Sequence, residues 1–89
     1  MSSGYEQVKL QESEEVVKIL EERHVLDDEI KMVIDNAEST GEKLYESSTN
    51  RFLARLRIGE ATFHVEYSVA GERTYTVHTA YAFRAEYEG

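Results

Sequence analysis

The spacing of hydrophobic residues changes at Gly41. Before Gly41, apolar residues recur every three or four positions, which predicts amphipathic helices. We expect one helix to begin after an N-cap at Ser13 and to end near residues 22–24. A second helix is expected from an N-cap at Asp27 to the glycine stop at Gly41. One continuous helix through residues 24–26 is the alternative.

After Gly41 the hydrophobic period falls to two, which predicts β-strands. Tight turns at Gly59-Glu60 and at residues 70–72 match apolar faces across neighbouring strands. The last run is long for one strand, so we expect a bulge or bend near residues 80–82. The four runs are KLYE, RFLARLRI, ATFHVEYSV and TYTVHTAYAFRAEY.

Together these elements predict an α+β fold of the order α-α-β-β-β-β. Two N-terminal helices pack on one face of a four-stranded antiparallel β-meander, because one apolar sheet face needs a cover. Residues 1–12 are expected to form a flexible N-terminal segment, and residues 13–89 a single domain. In the last strand the core-facing positions are Tyr75, Val77, Thr79, Tyr81, Phe83, Ala85 and Tyr87.

The net charge of −8 comes entirely from the first half of the 89-residue chain. Residues 1–42 contain 12 acidic and 4 basic side chains, whereas residues 43–89 contain 6 of each. Such a surface repels nucleic acid and anionic membranes and favours a basic protein partner. The chain has no cysteine, which excludes disulfides and thiolate metal sites. Without a secretory signal pattern, cytoplasmic residence is expected.

Two histidines are brought together by the predicted register. With a three-residue turn at residues 70–72, His64 lies opposite His78 on the face away from the helices. Two imidazoles with the Glu66 carboxylate form a candidate metal site, although Arg55 beside them opposes a bound cation. The alternatives are partly solvated histidines or a pH-sensitive patch. No cofactor is predicted.

The same sheet face has the composition of an interface. Arginine, histidine, leucine and small residues, including Ala80 and Ala82, are mixed there, and the chain has no catalytic or nucleotide-binding motif. We therefore predict a non-catalytic domain that docks on a partner protein or on itself, and not an enzyme. An ordinary exposed sheet face is the simpler interpretation. The alternative function is small-molecule or metal binding around the histidines. The predicted interaction face comprises Leu44, Leu53, Arg55, Arg57, His64, His78 and Arg84.

Four segments carry a resemblance to a known class of domain. They are RHVLDDEI, AESTGEKLY, RFLARLRIGEATFHVEY and HTAYAFRAE, within residues 22–87. They resemble a small accessory domain of bacterial flavin- and iron–sulfur-containing pyridine-nucleotide oxidoreductases, including relatives of the glutamate synthase small subunit. The resemblance implies a companion module of an electron-transfer enzyme. It assigns no functional residue, because the cofactor-binding glycines and cluster cysteines of those enzymes have no counterpart here.

Overall fold

A computed structural model describes residues 4–84 of the protein. Two helices and five strands form an α+β fold, which confirms the predicted class. Before the first strand lies a short 3-10 helix over Gly4–Gln7. The other elements are β1 (Lys9–Gln11), α1 (Glu14–Glu22), α2 (Asp27–Thr40), β2 (Lys43–Glu46), β3 (Arg51–Ile58), β4 (Ala61–Gly71) and β5 (Thr74–Arg84).

The helices begin and end close to the predicted residues. The Ser13 side chain accepts a hydrogen bond from the backbone N–H of Val16 at 3.2 Å, which confirms it as the N-cap of α1. The N-cap of α2 is Leu26 and not Asp27 as predicted, because the Glu29 carboxylate accepts from the Leu26 N–H at 2.9 Å. The two helices are therefore separate. Gly41 ends α2 in the left-handed conformation.

The sheet has five strands in the order β1-β5-β4-β3-β2, and this corrects the predicted four-stranded antiparallel meander. The added strand, β1, pairs in parallel with β5, so the sheet is mixed. Val8 before it is buried. Residues 4–12 thus supply a 3-10 turn and a strand where the sequence predicted a flexible segment. Residues 1–3 and 85–89 lie outside the described part, and with them the predictions for Ala85 and Tyr87.

The register of the first three strands of the predicted meander is as expected. Leu44 lies opposite Leu53 between β2 and β3, and Arg55 lies opposite His64 between β3 and β4. Ile58 faces Ala61 across the tight turn. These pairings place the inward residues of β3 and β4 under α2.

The register between β4 and β5 differs from the prediction. His64 lies opposite Tyr81 and not opposite His78. One extra residue is inserted in β5 where the partner passes from Glu66 to Tyr67, so His78 occupies a bulge. Because a one-residue insertion exchanges the faces of a strand, Ala80 and not Thr79 enters the core.

The core lies between the two helices and the inner sheet face. Alternate residues of β4 and β5 pack against α1 and α2 there. The fully buried Tyr67 donates a hydrogen bond to the Glu38 carboxylate at 2.7 Å, and Lys43 donates to the same oxygen at 2.6 Å. Burial raises the pKa of Glu38, but these two bonds outweigh it and lower the pKa overall. The network ties α2 to β2 and β4.

Candidate functional site

The sheet face turned away from the helices is the candidate site, and we call it the open face. Its side chains alternate with the buried ones along β3, β4 and β5, so the strand pleat presents them together. The helices contact the other face. The open face comprises Leu44, Leu53, Arg55, Arg57, Thr62, His64, Glu66, Ser68, Thr76, His78, Tyr81 and Phe83.

Most residues of the predicted interaction face lie on the open face. Leu44 and Leu53 form a cross-strand pair whose exposed fractions are 71% and 39%. Arg57 pairs across the strands with Thr62. For Arg84 the structure describes the backbone at the end of β5, and the prediction for its side chain lies outside the described part.

An aromatic cluster on the open face was missed by the sequence analysis. The His64 ring stacks on Tyr81, with centroids 4.9 Å apart and planes at 12°. Phe83 contacts His64 edge-on at 5.5 Å and Tyr81 at 5.2 Å, and it is 62% exposed. Tyr81 and Phe83 were predicted in the core, and Ala80 and Ala82 on the open face; the bulge at His78 reverses both assignments. The alternation of alanine with aromatic residues over positions 80–83 was the sequence feature that could have indicated that small residues face the core there and aromatic residues face outward.

The predicted metal site is not assembled. His64 is stacked on Tyr81, whereas His78 hydrogen-bonds through Nε2 to the Ser68 hydroxyl at 2.9 Å. The Glu66 carboxylate accepts a charged hydrogen bond from Arg51 at 2.9 Å. Over residues 4–84, no group of three or more histidine, cysteine, aspartate or glutamate side chains is arranged to hold a metal ion.

Both histidines on the open face resist protonation. Burial lowers the pKa of His64 below its usual 6.5, and the Arg55 guanidinium lowers it further. Burial also lowers the pKa of His78, with Arg51 adding to the effect and Glu66 opposing it. At neutral pH both rings are therefore mainly uncharged, and His64 acts as an aromatic surface beside Tyr81.

Two arginines of the open face, Arg55 and Arg57, differ from Arg51 on the same strand. Arg51 is paired with Glu66, but Arg55 and Arg57 are exposed and have no carboxylate within ion-pair distance among residues 4–84. Arg57 instead donates through Nε to the Gly59 carbonyl at 3.2 Å. The open face thus offers two guanidinium groups to a ligand.

A shallow groove of about 590 Å³ lies beside β2 and reaches one of these groups, the guanidinium of Arg55. Its lining includes Leu44, Leu53, Arg55 and His64, together with Glu42 and Lys43. An apolar side chain placed in the groove contacts both leucines and lies close to a guanidinium group.

A pair of carboxyl groups lies elsewhere, at the start of α2. The Glu12 carboxyl oxygen Oε2 is buried and meets no hydrogen-bond donor within residues 4–84. Burial raises the pKa of Glu12 to about 7, and the neighbouring Asp27 carboxylate contributes through hydrogen bonding and repulsion. Two carboxyl groups can hydrogen-bond only when one holds a proton. This pair makes the folded state sensitive to pH.

No helix within residues 4–84 is long and apolar enough to cross a membrane. Comparisons with models of protein families, with curated proteins and with solved structures found no match.

Proposed function

We propose that this chain is a non-catalytic interaction domain that docks on a partner protein through its open face. The observation that carries the proposal is the exposed cluster of leucine and aromatic side chains on a face that neither helix covers. Large exposed apolar patches mark interaction surfaces on small proteins.

The composition of the cluster supports a protein ligand. Tyrosine, phenylalanine and arginine are enriched in the centres of protein interfaces, and stacked rings lose little conformational freedom on binding. Here the His64–Tyr81 stack is already formed, and Arg55 lies across from His64. A preformed patch of this kind avoids part of the ordering cost of association.

The resemblance to accessory domains of bacterial oxidoreductases supplies the class of partner to test first. On this resemblance the partner is a flavin- or iron–sulfur-containing enzyme of the same organism. The domain would then contribute a docking surface, and the enzyme would contribute the cofactors.

A matched pair of substitutions tests the proposal. Leu53 on the open face is 39% exposed and Val17 on α1 is 37% exposed, so Leu53→Glu and Val17→Glu each replace an aliphatic side chain of similar exposure by glutamate. Each variant is used as bait in a pull-down from the native host, and its mass is followed by size-exclusion chromatography with light scattering. We expect Leu53→Glu to abolish partner capture or self-association and Val17→Glu to preserve it. A strictly monomeric wild-type chain that captures no protein would contradict the proposal.

A further inference from the structure

The charge distribution of the molecule indicates the chemistry of the partner. The net charge is −8, yet Arg55 and Arg57 lie exposed on the open face without carboxylate partners in the described part of the chain. The exposed acidic residues of the helices lie on the other side, and they include Glu14, Glu15, Glu21, Glu22, Asp27 and Asp28. On the open face Arg51 and Glu66 neutralise each other, and Glu46 and Glu42 lie at its β2 edge. Arg55 and Arg57 are therefore the positive charges that this face offers to a ligand.

From this we infer that the open face binds an acidic segment of a partner protein that also carries an apolar or aromatic side chain. The inference rests on the proposed function and specifies its ligand. The apolar side chain occupies the groove lined by Leu44 and Leu53 and contacts the His64 ring, which stacks on Tyr81. Carboxylates of the same segment pair with Arg55 and Arg57, whose planar guanidinium groups bind carboxylates in a two-pronged geometry.

The spacing of the two arginines suits such a segment. Arg55 and Arg57 are two residues apart on β3, so their side chains leave the same sheet face about two strand residues apart, or roughly 7 Å. Extended acidic peptides repeat their side chains at the same interval. Arg55 lies beside the aromatic stack through its pairing with His64, and Arg57 lies toward the turn at Gly59.

Other occupants fit the charges less well. Two copies packed by their open faces would bring the Arg55 and Arg57 guanidinium groups of both chains into one interface, and like charges gathered in an interface are costly. A basic partner, which the charge of the whole chain favours, suits the acidic helices and not the open face. Nucleic acid would meet the guanidinium groups but would be repelled by the net charge of −8.

Selection from a display library of random short peptides on the full-length protein tests the inference. We expect the selected peptides to be enriched in aspartate and glutamate beside leucine, phenylalanine or tryptophan. A synthetic peptide of the consensus is then titrated into the wild-type chain, the Arg55→Glu/Arg57→Glu variant and the control Lys18→Glu/Lys31→Glu. Both variants change the net charge equally. We expect the first to weaken binding about tenfold or more, and the control to leave it within about twofold.

The outcomes separate this inference from the proposed function. Peptides that are neutral or basic, yet lose binding in Leu53→Glu, would overturn the acidic ligand and leave the docking face intact. A library with no binder that depends on Leu53 would overturn both. A single-stranded oligonucleotide that binds more tightly than the peptide and loses binding in Arg55→Glu/Arg57→Glu would overturn the protein ligand. Growth of molecular mass with concentration, lost in the same variant, would instead identify the acidic helices of a second copy as the occupant.

Discussion

Replacing Glu12 by glutamine tests the electrostatics at the start of α2. The Glu12 carboxyl has a pKa of about 7 in the folded chain, against an ordinary 4.5, because burial and the Asp27 carboxylate disfavour its charge. The folded state therefore binds the Glu12 proton more tightly than the unfolded state. The bound proton of Glu12 therefore stabilises the fold. This contribution is complete below the unfolded pKa of 4.5 and is lost as the pH rises through about 7. Glutamine keeps the shape of the protonated group and removes the titration.

The expected size follows from the same shift. For a fully buried group, a pKa of about 7 in place of 4.5 corresponds to roughly 3 kcal/mol. Water reaches part of the Glu12 side chain, so screening reduces this to roughly 1 kcal/mol. We expect Glu12→Gln to raise the free energy of unfolding by about 1 kcal/mol near pH 8, and to leave it almost unchanged near pH 4.5.

Urea unfolding followed by circular dichroism, repeated across this pH range, measures the difference between variant and wild type. Glu60→Gln is the control, because Glu60 is exposed in the turn between β3 and β4. It removes one carboxylate outside the Glu12–Asp27 pair, so it measures the effect of a lost surface charge alone. Asp27→Asn should shrink the pH dependence of the wild type, since it removes one source of the raised pKa. If the stability difference for Glu12→Gln is the same at pH values near 5 and 8, the reasoning is refuted.

Three further predictions concern the core and the strands β4 and β5. Tyr67→Phe removes the hydrogen bond to Glu38 and should lower the free energy of unfolding by about 1 kcal/mol in urea titrations; an unchanged value would deny the network a stabilising role. Deleting His78 should preserve the fold in NMR spectra because it removes the extra bulge residue, whereas deleting Tyr81 should disrupt the fold because it exchanges the strand faces beyond that point. In an NMR pH titration the His64 imidazole should titrate below 6.5; a midpoint above 6.5 would contradict its burial beside an arginine.

The strand register was predicted correctly where the residues that determine it are close together in the sequence. Between β3 and β4 the chain turns at Gly59-Glu60, so the turn length and the alternation of apolar residues fix the register together. The pairs Leu56–Phe63 and Ala54–Val65 follow directly from that turn. The positions of Leu44, Leu53, Arg55 and Arg57 on the open face could be predicted because they depend only on these local pairings of β2, β3 and β4.

The errors arise where the structure depends on distant parts of the chain. Strand β1 has only three residues, and it pairs with residues 74–76, which are more than sixty positions away. No local sequence pattern therefore predicts it. In the run from Thr74 to Arg84, either of the two alternating sets of side chains could face the core. The local sequence does not decide between them, and the packing against the helices does. Small Ala80 lies in the core beside α1, while the larger Tyr81 is displaced to the open face.

That displacement explains why the candidate site was only partly predicted. The leucines and arginines of the open face follow from β2 and β3, but the aromatic cluster requires the bulge at His78. The opposed histidine pair depended on the turn at residues 70–72, and the structure turns at residues 72–73 instead.

Photo-crosslinking in the native host tests most directly whether the open face is the docking surface. A photoreactive phenylalanine analogue is placed at Thr62 on the open face or at Lys18 on α1, and crosslinked proteins are identified by mass spectrometry. Our account predicts a specific partner adduct from position 62 that is lost when Leu53→Glu is added, and no such adduct from position 18. The same adduct from position 18, with none from position 62, would place the docking surface on the helices and contradict the account.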